Sequence, residues 1–328
     1  MAKDKFDVSF FAADGKGTAK ATSHRVVRNT PEGIYKFIGG LPSDAVLVAE
    51  HTGVYGDALL KSCTESRVSI SMVGGHVIHS YKAAPDRGKT DMQDCAMLRE
   101  FGERFSDKLK PSRFPADTIY ELRQMARHRE MLVEERKRFV TAAKGEDCRP
   151  QRSVAVGRSM SRIIEALDME IDSIEGQMLE AIGANADVAR NYGIITSVCG
   201  VGLVTAVEII IKTDNFTTIR TAREYAAYAG TAPYGCSSGK MDRGAHISRV
   251  GNRRSKTLLY ICAESARRCN KEIKLYYERR AVVEKKPHHY VLNAIANKLL
   301  RVIFTLVAKG EKFDRDYIRE DPRPIKDY

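Results

Sequence analysis

The chain has 328 residues, 54 Lys+Arg against 42 Asp+Glu, a formal charge of +12 and 43% hydrophobic residues. That apolar share is enough to bury proper cores, which excludes a disordered chain, and the length suits two domains with or without a connecting module. No run approaches the roughly 18 apolar residues of a membrane-spanning helix, MAKDKFDV is no signal peptide, and the positive balance makes nucleic acid the default partner.

Residues 5–12 (KFDVSFFA) and 22–28 (TSHRVVR) are rich in β-formers around Asp14-Gly15-Lys16-Gly17, which predicts a hairpin. Thr30-Pro31 with Glu32 is a helix start signal. Ala45-Val46-Leu47-Val48-Ala49, bounded by Pro42 and Gly53, is too short for a helix and predicts a strand buried on both faces. A helix over 54–64 and a strand over 67–73 follow, so the first third has the order of an α/β sheet domain. From Asp117 to Glu146 the pattern is helical. After Cys148-Arg149-Pro150 a second helix carries Ile163, Ile164, Leu167, Ile171, Ile174 and Met178 in one apolar stripe. That stripe fits a coiled-coil pair, a dimerisation arm, or two helices packed on their own domain.

The last 130 or so residues read as a separate unit. Ile194 to Gly202 (IITSVCGVG), followed by an apolar helix, predicts a helix-hairpin-helix in which Gly200 and Gly202 let backbone N–H groups approach a phosphate. A plain packing joint is the alternative. Between Arg243 and Arg280 there are 11 Lys/Arg against 3 Glu, interleaved with Tyr276 and Tyr277. This concentration favours binding of a phosphate backbone over a merely solvated face. The 7 cysteines include no CxxC pair, which argues against a disulfide framework or a zinc site and for a reduced, cytosolic protein.

Three carboxylates and a serine are the candidates for chemistry. Glu50 ends the apolar strand, at the carboxyl edge where open α/β sheets place their sites. Asp91 and Asp94 follow Thr90, whose spacing to Gln93 fits a capping box, so both fall in the first turn of a helix. Acidic residues are favoured there by the helix dipole alone, but one strand acid with two helix acids is also an oxygen-only set suited to Mg²⁺. Ser238 lies in a Gly/Ser-rich segment that predicts a flexible loop presenting its hydroxyl, with Arg243 and Arg249 nearby to neutralise a phosphate. A serine there needs activation, and His246 is not an obvious base.

EHTGVYGDAL, KTDMQDCAMLREF, ITSVCGVGLVTA and REYAAYAGTAPYGCSSGKMDRGAHISRVGNRRSKTLLY together resemble the DEDD-type insertion-sequence transposases of the IS one-ten class, relatives of the Piv-type invertases and described as bridge-RNA-guided recombinases. The likeness runs over nearly the whole chain with its motifs in order. It implies α/β plus α architecture: an RNase H-like (RuvC-like) DEDD domain over 1–115, a coiled-coil helical connector over 116–190, and a mainly helical C-terminal transposase domain over 191–328. Glu50, Asp91 and Asp94 match the last three family acids and would be catalytic Mg²⁺ ligands. The nucleophile precedes an Arg-Gly pair by five residues, which selects Ser238 over Ser237. The resemblance further implies a covalent phosphoserine, donor and target DNA, a structured guide (bridge) RNA, and a dimer or dimer of dimers. No membrane is expected. Nucleic-acid contacts are expected at Arg243, Arg249, Arg253, Arg254, Lys256, Arg267, Arg268, Gly200 and Gly202.

One departure stands out. The family's first strand, an apolar-Gly-Ile-Asp-Val-Ser-Lys pattern, precedes the Lys-Phe-Asp-Val strand, and here Met1 stands where Val or Ile follows its Asp. The first catalytic Asp is therefore expected to be absent, and with it a central strand whose loss leaves backbone groups unpaired. A start further upstream, a decayed copy, or substitution by Asp4 or Asp7 would each account for this. The alternatives to a recombinase are a RuvC-like structure-selective nuclease using metal-activated water, and an inactive nucleic-acid-binding remnant.

Overall fold

A computed structural model describes residues 1–13, 20–81, 90–238, 241–247 and 250–314, excepting the side chains of 11–13, 20–22, 76, 79, 236–238 and 241–246. The Asp14–Gly17 turn and Arg249 lie outside the described residues. The chain forms two compact units, Met1–Pro115 and Ala116–Tyr328.

In the first unit, β1 (Lys5–Ala13) and β2 (Lys20–Arg28) pair antiparallel, from Lys5 opposite Arg28 to Ala13 opposite Lys20. Helix α1 (Pro31–Gly39) starts where the sequence predicts: the Thr30 side chain accepts from Gly33 N–H and proline takes the first turn. Its Ile34, Phe37 and Ile38 are buried with Phe6 and Val27, and the Phe6 and Phe37 rings meet edge to face at 5.9 Å. Strand β3 (Val46–Glu50), helix α2 (Asp57–Glu65) and β4 (Ser69–Val73) make a parallel crossover unit, Val46 opposite Ser69 and Glu50 opposite Val73. Leu59 and Cys63 bury the inner face of α2, and burial pushes the Cys63 thiol up to about 11. Helix α3 (Gly75–Tyr81) precedes α4 (Asp91–Arg104).

Two expectations for this unit are corrected. β3 is not buried on both faces: Val46 is 57% exposed and the other four residues are only half-buried. The reason is that β3 has one strand neighbour, β4, whose far side is held instead by the 110–112 segment. There Ser112 N–H donates to the Ile70 carbonyl at 2.7 Å, and Ser71 Oγ donates to the Lys110 carbonyl at 2.8 Å. Nor do the described strands form one sheet; β1–β2 and β3–β4 are separate two-stranded ladders.

The second unit is helical apart from one hairpin. Helices α5 (Asp117–Asp147) and α6 (Val154–Gly183) run antiparallel, since Arg129 pairs with Glu175 (2.6 Å) while Arg136, seven residues on, bonds Asp168, seven residues back (3.2 Å). The predicted stripe of α6 is half-buried along this pair. At its end Met178 and Ile182 enter the same core as Ile119 and Leu122 of α5 and the helices that follow. Helix α7 (Ala186–Ser197) and α8 (Leu203–Thr213) are joined by the short 198–202 turn, and α9 (Ala222–Ala229) starts with a complete Thr221/Glu224 capping box. The hairpin β5 (Pro233–Ser238) and β6 (Met241–Ile247) leads to α10 (Arg253–Cys269), α11 (Lys271–Glu278) and α12 (His288–Lys309).

Helix α12 is long and apolar enough to cross a membrane, contrary to the reading that no such segment exists. Its apolar residues, Ile295, Leu299, Leu300 and Ile303 among them, are buried in this core. Cys199 and Cys269, 70 residues apart, are paired as a disulfide, which composition argued against; the fold brings together two cysteines whose spacing carried no signal.

Candidate active site and nucleic-acid interface

The three predicted acids line one cavity of the first unit, with a volume of about 1010 Å³. Glu50 reaches it from the end of β3, and Asp91 and Asp94 from the first turn of α4. The helix starts there because the Thr90 side chain accepts from Gln93 N–H at 3.2 Å, and its N-terminal dipole favours both carboxylates. Gly75 makes room for Glu50: a Cβ on Gly75 would stand 2.5 Å from Glu50 Oε1. Gly102 does the same for helix placement, because a Cβ there would stand 2.7 Å from Val48 Cγ2, so α4 lies directly on β3. Asp7 lines the cavity too and bonds His24 at 2.8 Å.

The donor chemistry suits Mg²⁺, a hard cation bound by carboxylate oxygens. The geometry is looser than a ligand set: among the described residues no three His, Cys, Asp or Glu side chains converge closely enough to hold an ion.

In the second unit the expected serine loop is instead a paired hairpin: Ser238 is the last residue of β5, paired with Met241 at the start of β6, so it stands at the turn end. The register shifts between Gly235 and Ser237, a bulge that re-aims the strand near its tip. Arg243 lies on β6. The base of the hairpin is clamped. Ahead of it, the Thr231 carbonyl accepts from both Asn293 Nδ2 and Asn297 Nδ2 at 3.0 Å. Behind it, Asn252 N–H donates to the Tyr228 carbonyl (2.8 Å) and Asn252 Nδ2 to the Tyr228 hydroxyl (2.9 Å). Gly251 abuts Gly230 so closely that a Cβ on Gly251 would stand 2.6 Å from Gly230 Cα.

Comparison with known proteins places these features in context. Residues 1–145 match the DEDD transposase family of IS110 type, and residues 192–278 match the Transposase IS116/IS110/IS902 family. The chain belongs to the IS110 class of transposases. It is 22% identical to the pilin gene-inverting protein of Moraxella bovis over 273 residues, 82% of each chain. It is 31% identical to an uncharacterised IS110 insertion-element protein of Streptomyces coelicolor over 121 residues, 37% of this chain and 30% of that one. It is 28% identical to the transposase for insertion sequence element IS1111A of Coxiella burnetii over 168 residues, 49% of this chain and 46% of the other. By class the IS110 transposase is a DNA recombinase.

The basic residues of this transposase divide sharply once their partners are seen. Arg253 is exposed and Lys256 half-buried at the start of α10; neither has an ion-pair partner among the described residues, and Lys256 lies over the Tyr260 ring at 5.9 Å. Arg254, between them, turns inward to Glu130 of α5 and to Glu208 at 3.4 Å. Arg267 bonds Glu264 (3.0 Å) and stacks on Tyr277 (4.7 Å), and the more exposed Arg268 also reaches Glu264 (3.3 Å). Gly200 has its closest neighbours in α10. With φ +92 and a Cβ position 2.6 Å from Ala266 N, its missing side chain serves helix packing, whereas Gly202 is exposed with nothing within 4 Å.

Glu208 escaped the sequence reading. It is 4% exposed in the middle of α8, accepts from Ser255 Oγ at 2.7 Å and faces Arg254. A lone carboxylate inside the apolar run LVTAVEIIIKT is the signal that points to it, because a buried charge needs a partner. Through Ser255 and Arg254 it fixes the first turn of α10, and hence where Arg253 and Lys256 stand.

Proposed function

We propose that this transposase cleaves and rejoins DNA through Ser238, with Glu50, Asp91 and Asp94 of a neighbouring subunit assisting the reaction. The observation that carries the reading is the shared cavity: three carboxylates from β3 and α4 face one space, in a chain whose family is a DNA transposase. The clamped hairpin base supports the serine assignment, since a nucleophile must be held within a narrow range of positions. In the proposed step the Ser238 oxygen forms an ester to phosphorus, one backbone P–O bond breaks, and the departing deoxyribose hydroxyl takes up a proton. Rejoining reverses it. Glu50, Asp91 and Asp94 would have to draw together from the spacing described above to hold Mg²⁺, which would then supply charge neutralisation.

The first unit is read as an RNase H-like domain and the helix pair α5–α6 as the connector to the C-terminal transposase domain. Arg253 and Lys256 best fit the role of phosphate contacts, with Arg243, Arg249, Arg267, Arg268 and Gly202 flanking them. A structured guide RNA would supply target choice, because such contacts hold backbone and carry little sequence information. A cytoplasmic dimer or dimer of dimers is the proposed working form. The relative named as a pilin gene-inverting protein supports recombination over simple cleavage.

The deciding experiment is denaturing capture of protein–DNA adducts on element-end DNA with guide RNA. Wild-type protein is expected to give an adduct, and Ser238→Ala none while still binding nucleic acid. Strand cleavage that survives Ser238→Ala but is lost in Asp91→Ala would sink the serine reading in favour of a metal-dependent nuclease.

A further inference from the structure

Where the chain returns from β6 to the core, three helices hold it. Asn252 N–H donates to the Tyr228 carbonyl of α9, and the Asn252 side chain caps α10 by accepting from Ser255 N–H at 2.9 Å. The first turn of α10 then sends two side chains inward. Ser255 donates to Glu208 of α8 at 2.7 Å and hydrogen-bonds the fully buried Tyr225 of α9. Arg254 reaches two carboxylates, Glu208 at 3.4 Å and Glu130 of α5.

The bond to Glu130 lies where α5 leaves the core. Helix α5 enters that core through Ile119, Leu122, Met125 and Ala126, and Glu130 is about one turn beyond the last of these. Next to it the pairing with α6 begins, Arg129 meeting Glu175 at 2.6 Å. The same side of α5 acts on the hairpin base a second time, through the charge of Arg123, about two turns before Glu130, on the Tyr228 hydroxyl. A guanidinium suits this junction. Its planar fork of donors serves two carboxylates in a fixed geometry, whereas a lysine ammonium is a point charge on a flexible stem. An arginine turned to two acids has little charge left for a phosphate.

We propose that Arg254 is a positioning residue for the serine: through Glu130 it ties the base of the β5–β6 hairpin to α5, so that the long helix pair, as well as the core, sets where Ser238 stands. This rests on Ser238 being the nucleophile. In this role Arg254 holds no nucleic acid, unlike the outward Arg253 beside it. The hairpin makes the tie matter. β6 spans seven residues, roughly 20 Å from base to turn, so a tilt of about 3° at the base moves the tip by about 1 Å. A misplacement of about 1 Å at a reacting group can cost about a hundredfold in rate.

The test compares Glu130→Gln and Arg254→Lys with wild type in the full chain, using element-end DNA and guide RNA. The Glu130 side chain is 46% exposed, so Glu130→Gln leaves the fold intact. At saturating nucleic acid the rate of serine–DNA adduct formation is expected to fall by about tenfold to a hundredfold in both variants, while affinity and its salt dependence stay those of wild type. If Arg254 holds a phosphate instead, Glu130→Gln frees it and tightens binding, and Arg254→Lys keeps both binding and rate; either result overturns the proposal. Unchanged adduct rates in both variants overturn it as well. A second readout does not involve Ser238: amide exchange at Asn252 in the free protein is expected to speed by about tenfold in Glu130→Gln. Unchanged exchange sinks the tie to α5. Faster exchange in a protein whose wild type forms no serine adduct upholds the tie and sinks the nucleophile instead.

Discussion

The two units solve the same problem, pairing backbone and buried polar groups, with different completeness. In the second unit nearly all backbone bonding is internal to helices, and the polar groups that the core buries are answered within it: Glu208 by Ser255 and Arg254, the Thr231 carbonyl by Asn293 and Asn297. In the first unit two ladders each line one cavity, and among the described residues Asn29 Oδ1 and Thr52 Oγ1 are buried without a hydrogen-bond partner. The lesson is about locality. A helix satisfies its own ladder, whereas a strand depends on whatever lies beside it.

Substitutions can break this contrast or sharpen it, and the largest effects are expected in the closed unit. Glu208→Ala leaves Arg254 without its buried partner and is expected to cost the second unit about 3–5 kcal/mol, read from chemical denaturation of the full chain. A loss under 1 kcal/mol would mean that the Ser255–Glu208–Arg254 group does not hold α10. Ile210→Ala, at a fully buried position in α8, is expected to cost about 2–5 kcal/mol in the same transition. Val46→Thr tests the open unit, where the side chain is 57% exposed; a change within about 0.5 kcal/mol is expected. If Val46→Thr cost as much as Ile210→Ala, β3 would be a covered strand and the comparison would fail.

The smallest effect concerns acid. The Arg267 hydrogen bond, aided by Arg268, holds the Glu264 carboxyl below its ordinary value. Its contribution is therefore full above the ordinary glutamate pKa and fades as pH falls through the lowered one. Glu264→Gln is expected to change stability by less than about 1 kcal/mol at neutral pH, and the difference from wild type should vanish in acid, as checked by thermal melts across pH.

Much of this was legible in the primary structure because its causes are local. Thr30-Pro31, Thr90 with Gln93, and the apolar stripe of α6 each fix a helix through neighbours three or four residues away, and the elements lie where those signals stand. The grouping of Glu50 with Asp91 and Asp94 was legible through motif order, and the cavity they share agrees with it. The basic cluster was legible as composition only. Counting charges from Arg243 to Arg280 does not reveal that Arg254 is committed to Glu208 and Glu130 while Arg253 next to it faces solvent. One helical step of about 100° separates the two roles, and which side faces the core is a tertiary fact.

By itself, then, the amino-acid order determined the helices, the first hairpin and the family motifs, all set by propensity, capping and short-range pattern, whereas the second hairpin reads in the sequence as a Gly/Ser loop. Only the tertiary structure decided that Gly200 packs on α10, that Cys199 meets Cys269, that Glu208 anchors the basic helix, and that β1 and β3 line one cavity with the acids. Those outcomes depend on partners 47 to 70 residues away, or on a strand's neighbour, and so are decided by packing.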